Sequence, residues 1–108
     1  MVTLVNRAKM ATTTAGTGVI TLGSAITGFQ TFANAGVTNG MTVRYVIENG
    51  DAFEIGSGTY TASGTTLSRT VSESSNSNNL LVLSGSSEIS LTATAADFNA
   101  ALPKSGEL

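Results

Sequence analysis

The sequence predicts a mainly β fold: a single antiparallel β-sandwich or small barrel with one or two short helices. Three observations carry this. Short runs in which apolar and polar residues alternate recur along the chain, separated by Gly, Ser and Asn at short intervals. The segments between turns are rich in Thr, Val and Ile, whose branched Cβ favours extended backbone. Helical spacing is confined to two stretches. With 108 residues, the chain reads as one β domain over 1–108, with 1–15 as an N-terminal arm or strand, 95–102 as a short C-terminal helix and 103–108 as a tail.

In order, Val2 to Met10 starts as an alternating strand or arm and turns polar at Asn6, Arg7 and Lys9. Ala11 to Gly18 is Thr-rich and bends at its glycines. Val19 to Leu22 is a short strand stopped by Gly23. Between Gly28 and Gly36, Phe29 and Phe32 stand three apart, which predicts one or two helical turns pressing both rings onto the sheet.

Met41 to Val71 holds the clearest alternation: Met41, Val43, Tyr45 and Ile47, a turn at Glu48 to Asp51, then Phe53 and Ile55. A two-residue Asn49-Gly50 loop would pair Glu48 with Asp51, whereas a three-residue Asn49-Gly50-Asp51 loop pairs Ile47 with Phe53 and Tyr45 with Ile55. The second gathers the large apolar residues on one face, with Arg44 diagonal to Glu54. Each misplaced large side chain forfeits about 1.5–3 kcal/mol, so the three-residue loop is expected. Thr65 to Glu73 alternates again, but Arg69 falls between Leu67 and Val71 on their apolar face. It requires a sheet edge, a carboxylate or a neighbouring subunit.

Ser74 to Asn79 is an exposed polar loop. Leu80 to Leu83 reads as a strand buried on both faces, and Glu88 to Thr94 as a strand with one wet face. Phe98 and Leu102, four apart, mark the C-terminal helix that Pro103 ends.

The chemistry is sparse. There is no Cys and no His, which removes disulfides, thiolate metal sites and the commonest general base and ligand. Ser and Thr abound, yet a hydroxyl nucleophile needs a base, and only Lys9, Lys104 or carboxylates could serve. The chain is therefore expected not to be an enzyme and to need no cofactor. Gly16-Thr17-Gly18 lacks the strand, Lys and helix of a phosphate loop. Glu48, Asp51 and Glu54 could surround Ca²⁺ at the hairpin tip but lack the ligand ladder of a dedicated loop, so a solvated tip is the plainer reading. A net charge of −2 with 11% charged residues argues against a nucleic-acid partner, and no apolar run is long enough for a membrane helix. Charge this scarce suits surfaces that lie against other protein. The candidate partner-binding residues are Arg7 and Lys9 in the arm, Arg69, and Lys104 in the tail.

The segments TTTAGTGVITLGSAITGFQTFANAG, VRYVIENGDAFEIGSGTYTASGTTLSRT and SSNSNNLLVLSG, in that order, resemble a small β-module that recurs in structural proteins of tailed bacteriophages. The match spans Thr12 to Gly85. The resemblance implies a part of tail fibres or head-attached proteins, with no catalytic residues. Because the module is nearly the whole chain, the expectation is a virion protein made in the host cytoplasm: a capsid decoration or cement protein contacting the major capsid protein or another virion protein, as a homo-oligomer such as a trimer. A tail-fibre or head-tail adaptor component, with a host-receptor or glycan-binding role for Tyr45 and Tyr60, is the alternative.

Overall fold

Alternation builds the sheet where it is strongest. A computed structural model of the chain describes residues 4–92; the expected helix 95–102, Phe98, Lys104 and the tail lie outside the described residues. The strands are β1 (Lys9–Thr12), β2 (Ala15–Gly16), β3 (Ile20–Thr21), β4 (Thr42–Asn49), β5 (Ala52–Thr61), β6 (Thr66–Leu67), β7 (Thr70–Ser74), β8 (Leu83–Ser84) and β9 (Ser87–Leu91), with one helical turn, α1 (Phe32–Ala35). Seven of the strands form one antiparallel sheet in the order β1-β9-β4-β5-β6-β3, with β7 also on β5; β2 and β8 form a separate ribbon. The fold is mainly β, with the sheet curled into a half-barrel.

The chain beyond β3 joins the two edges of that curl. Gly23 N–H donates to the Ala11 carbonyl at 2.7 Å, Ala11 N–H to Ser24 at 2.8 Å and Ile26 N–H to Lys9 at 2.9 Å. One step earlier, the Thr12 hydroxyl donates to the Thr21 carbonyl at 2.6 Å and Thr21 N–H donates to the Thr14 hydroxyl at 2.9 Å. The Thr run thus supplies side-chain bonds where the ladder stops, which is how the exposed edges of β1 and β3 are covered.

Inside the curl lie Met10, Ile20, Phe32, Val43, Tyr45, Ile47, Leu67, Ile89 and Leu91, all buried. Thr31 caps α1, its hydroxyl accepting from Asn34 N–H, and Gly36 ends it. Phe29 lies before that cap, so the spacing of Phe29 and Phe32 is not helical: Phe32 is buried and Phe29 only half-buried.

The central hairpin takes neither expected register. Asn49 pairs with Ala52, Glu48 with Phe53, Ile47 with Glu54 and Tyr45 with Gly56. The loop is the two residues Gly50-Asp51, and Gly50 (φ 64) stands where a type II′ hairpin turn takes glycine. The inward face of β5 is consequently Glu54, Gly56, Gly58 and Tyr60, while Phe53 and Ile55 point to the other side, half-buried. Two features make this arrangement the better one. The Tyr45 ring lies over Gly56, where an added Cβ would sit 2.6 Å from the phenolic oxygen and overlap the Thr70 carbonyl. And the carboxylate that enters the core brings its own cation.

Two smaller expectations also change. Leu80 to Leu83 is not buried on both faces: Leu81 and Leu83 are inside while Val82 is 71% exposed. The Thr65 to Glu73 run splits into β6 and β7 around Ser68 and Arg69.

Candidate functional site

Arg69 leaves the strand pattern because its side chain is the pin of the core. Its Nη2 donates to Glu54 Oε1 at 2.5 Å and to the Leu81 carbonyl at 2.8 Å, and Nε donates to Glu54 Oε2 at 3.3 Å. Nη1 donates to the carbonyls of Gly16 at 3.1 Å and Gly18 at 3.4 Å. The side chains of Arg69 and Glu54 are 1% and 0% exposed. Glu54 also accepts from the Tyr45 hydroxyl at 2.6 Å and from Leu81 N–H at 2.8 Å. Burial pushes the Glu54 carboxyl up, but the Arg69 guanidinium, the Tyr45 hydroxyl and the Leu81 N–H outweigh it and hold it below the usual carboxylate range. The same burial, reinforced by Glu54, pushes the Tyr45 phenol far above its ordinary value.

Of the needs named for Arg69, the carboxylate is the one met, within the chain. Arg69 is a latch tying β5 to the segments at residues 16–18 and 81, not a group on a docking surface. The three carboxylates of the hairpin do not converge: Glu54 points inward, Glu48 pairs with Lys9 on the opposite face and Asp51 sits at the tip. Among the described residues no three candidate ligands come together for a metal. Tyr45 and Tyr60, the aromatics considered for a glycan edge, are 0% and 5% exposed.

Arg7 and Lys9 do come together, around Phe29. The Arg7 guanidinium lies 4.0 Å above the Phe29 ring and Lys9 Nζ lies 5.3 Å from the same ring, within the range of attraction to the π-face. Arg7 Nη2 donates to the Gly28 carbonyl at 2.8 Å. Its backbone has φ 53, held by Gln30 N–H donating to the Arg7 carbonyl at 2.8 Å and Gln30 Nε2 donating to Asn6 at 2.9 Å. Lys9 has a different task. Glu48 and Glu88 stand directly opposite each other on β4 and β9, a repulsive pair, and Lys9 Nζ bridges them at 3.1 and 3.2 Å. The Glu48 bond, foremost, and Glu88 hold the lysine above its ordinary range against partial burial. Arg7 is exposed; Lys9 is committed to the fold.

Sequence reasoning missed Phe29 as the platform for Arg7, although Arg7 and Phe29 both stood out individually; the parallel bridge between Ala8 and Gln30 that joins them has no local signal. Comparison of the chain with family models, with curated proteins and with solved structures returns no match. No helix among the described residues is long and apolar enough to cross a membrane.

Proposed function

We propose that the chain is a structural protein of a tailed-phage virion, a capsid decoration or cement protein that docks on the assembled head and strengthens capsomer contacts mechanically. The observation that supports it best is the Arg7 stack. An exposed guanidinium already fixed by an aromatic ring and a carbonyl loses little rotamer freedom on docking, where an immobilised long side chain otherwise costs about 0.5–1.5 kcal/mol, and Arg is enriched among interface hot spots. A non-glycine residue at φ 53 also costs on the order of 1–2 kcal/mol, the kind of strain that collects at functional positions. The partner would present a carboxylate to the outer edge of the guanidinium, and repetition by symmetry of an interface near the standard ~1,600 Å² would reinforce the shell without chemistry. The resemblance over Thr12 to Gly85 and the small number of charges point the same way.

The test is add-back. Heads lacking the protein are mixed with wild-type chain or Arg7→Glu, and bound copies are counted by cryo-EM. Wild-type chain in copy numbers set by the capsomers, with Arg7→Glu failing to bind while still folded and unfolding cooperatively in urea, supports the proposal. Wild-type chain found only on tails, or undiminished binding of Arg7→Glu, overturns it.

A further inference from the structure

The chain contains two Asn-Gly pairs, Asn39-Gly40 and Asn49-Gly50, and the fold treats them oppositely. At the first, Gly40 N–H donates to the Tyr60 carbonyl at 2.8 Å and Asn39 Oδ1 accepts from Ala62 N–H at 2.9 Å, so the backbone nitrogen and the side-chain carbonyl are both held apart in main-chain bonds. At the second, Gly50 is the first residue of the hairpin loop, and its N–H donates to no acceptor among the described residues. The Asn49 Oδ1 accepts instead from two hydroxyls, Ser84 Oγ at 2.8 Å and Ser87 Oγ at 3.0 Å. Gly50 also opens onto a cleft of about 420 Å³ lined by Thr12, Thr13, Glu48, Ser86 and Glu88, which admits water.

We propose that Asn49 is a built-in modification site, deamidating through a cyclic imide while Asn39 is protected. The free Gly50 nitrogen attacks Asn49 Cγ and loses its proton to water from the cleft. The oxygen that gathers negative charge is Oδ1, and the two serine hydroxyls already donate to it, as donors aimed at a developing oxyanion do. Collapse breaks the Cγ–Nδ2 bond, and the side-chain nitrogen leaves as ammonia with a proton from solvent. Water then opens the imide at either carbonyl to give aspartate or isoaspartate. The balance is one water taken up and one ammonia released, with no change of oxidation state and no co-reactant. The product adds a negative charge beside Glu48, Asp51 and Glu88 to a chain whose net charge is −2. The isoaspartate form further inserts a carbon into the backbone at the last pair of the β4–β5 ladder, Asn49 with Ala52, and so loosens the hairpin with age.

The experiment follows both sites by peptide mass spectrometry during incubation at pH 7.4, in the folded protein and in urea. In urea the identical dipeptides lose ammonia at similar rates. In the folded protein Asn49 is expected to react at least about tenfold faster than Asn39, and Ser84→Ala, an exposed position, to slow Asn49 by about tenfold, equal to 1.36 kcal/mol of barrier, without altering Asn39. Equal protection of both sites by folding, or an unchanged Asn49 rate in Ser84→Ala, overturns the proposal.

Discussion

Removing the Arg69 guanidinium is the sharpest test of how this fold is held. In Arg69→Met the carboxylate of Glu54, 0% exposed, keeps the Tyr45 hydroxyl and the Leu81 N–H but loses its cation, and the carbonyls of Gly16, Gly18 and Leu81 lose a donor. Breaking a buried ion pair from one side costs about 3–5 kcal/mol. A domain of this size has roughly 5–15 kcal/mol in total, so the variant forfeits about a fifth of its stability at the least and most of it where the total is small. With a urea slope of about 1–3 kcal/mol/M, the midpoint falls by roughly 2 M. Because an unpaired buried carboxylate is easier to accommodate once protonated, the deficit shrinks as pH falls from 7 to 4.

The cause is separable from simple loss of volume. In Glu54→Leu/Arg69→Met neither charge remains, and paired apolar replacements of buried ions are often tolerated. The double variant is expected to be more stable than Arg69→Met alone, with a coupling energy of about 2 kcal/mol in the double-mutant cycle. It stays below wild type because the three carbonyls are still unserved. A loss under about 1 kcal/mol in Arg69→Met, or additive effects in the cycle, would refute the assignment of Arg69 as the latch.

Further expectations follow from single contacts. Glu54 is held below its ordinary value of 4.5 in the folded chain, so its contribution is complete above that pH and is lost as pH falls through the folded value; urea titrations across pH 2–6 should show this acid limb, and Glu54→Gln should flatten it. Gly56→Ala forces a methyl against the Thr70 carbonyl and Tyr45 Oη and should cost at least about 1–3 kcal/mol, whereas Gly18→Ala, with open space at its Cβ, should lie within about 0.5 kcal/mol of wild type by thermal melting. Lys9→Met leaves Glu48 opposite Glu88 unbridged; it should lower the melting temperature at low salt, and both added NaCl and a second change, Glu88→Gln, should restore most of the loss. Thr65, β-branched at φ 53, is strained, and Thr65→Asn should stabilise by roughly 0.5–1 kcal/mol because Asn tolerates the left-handed region.

Strands were legible wherever one face is apolar and the other wet. Val43, Tyr45 and Ile47 on β4, and Ile89 and Leu91 on β9, are buried as their alternation requires. The register was not legible, for a physical reason. Area counting credits Phe53 and Ile55 with the inward face, but it has no means of valuing a carboxylate, a phenol and a guanidinium that satisfy one another. Glu54 alone on that face would be prohibitive; with Arg69, Tyr45 and Leu81 N–H around it the cost is met and the glycines beside it give the Tyr45 ring room. The one available signal was Arg69 itself, on an apolar face and asking for a carboxylate fifteen residues away in sequence.

That pairing also explains why the rest of the pattern broke where it did. A guanidinium spends several donors at once, and here they go to Glu54, Leu81, Gly16 and Gly18, so β6 and β7 part around Ser68 and Arg69 and Leu80 to Leu83 follows Arg69 rather than entering the sheet on two faces. The valines adjoining these clamped carbonyls, Val19 at 56% and Val82 at 71%, are left outside. One long-range polar contact therefore sets the hairpin register, the break between two strands and the exposure of two apolar side chains. Local alternation carries none of these, because each depends on residues that only the closed fold brings together.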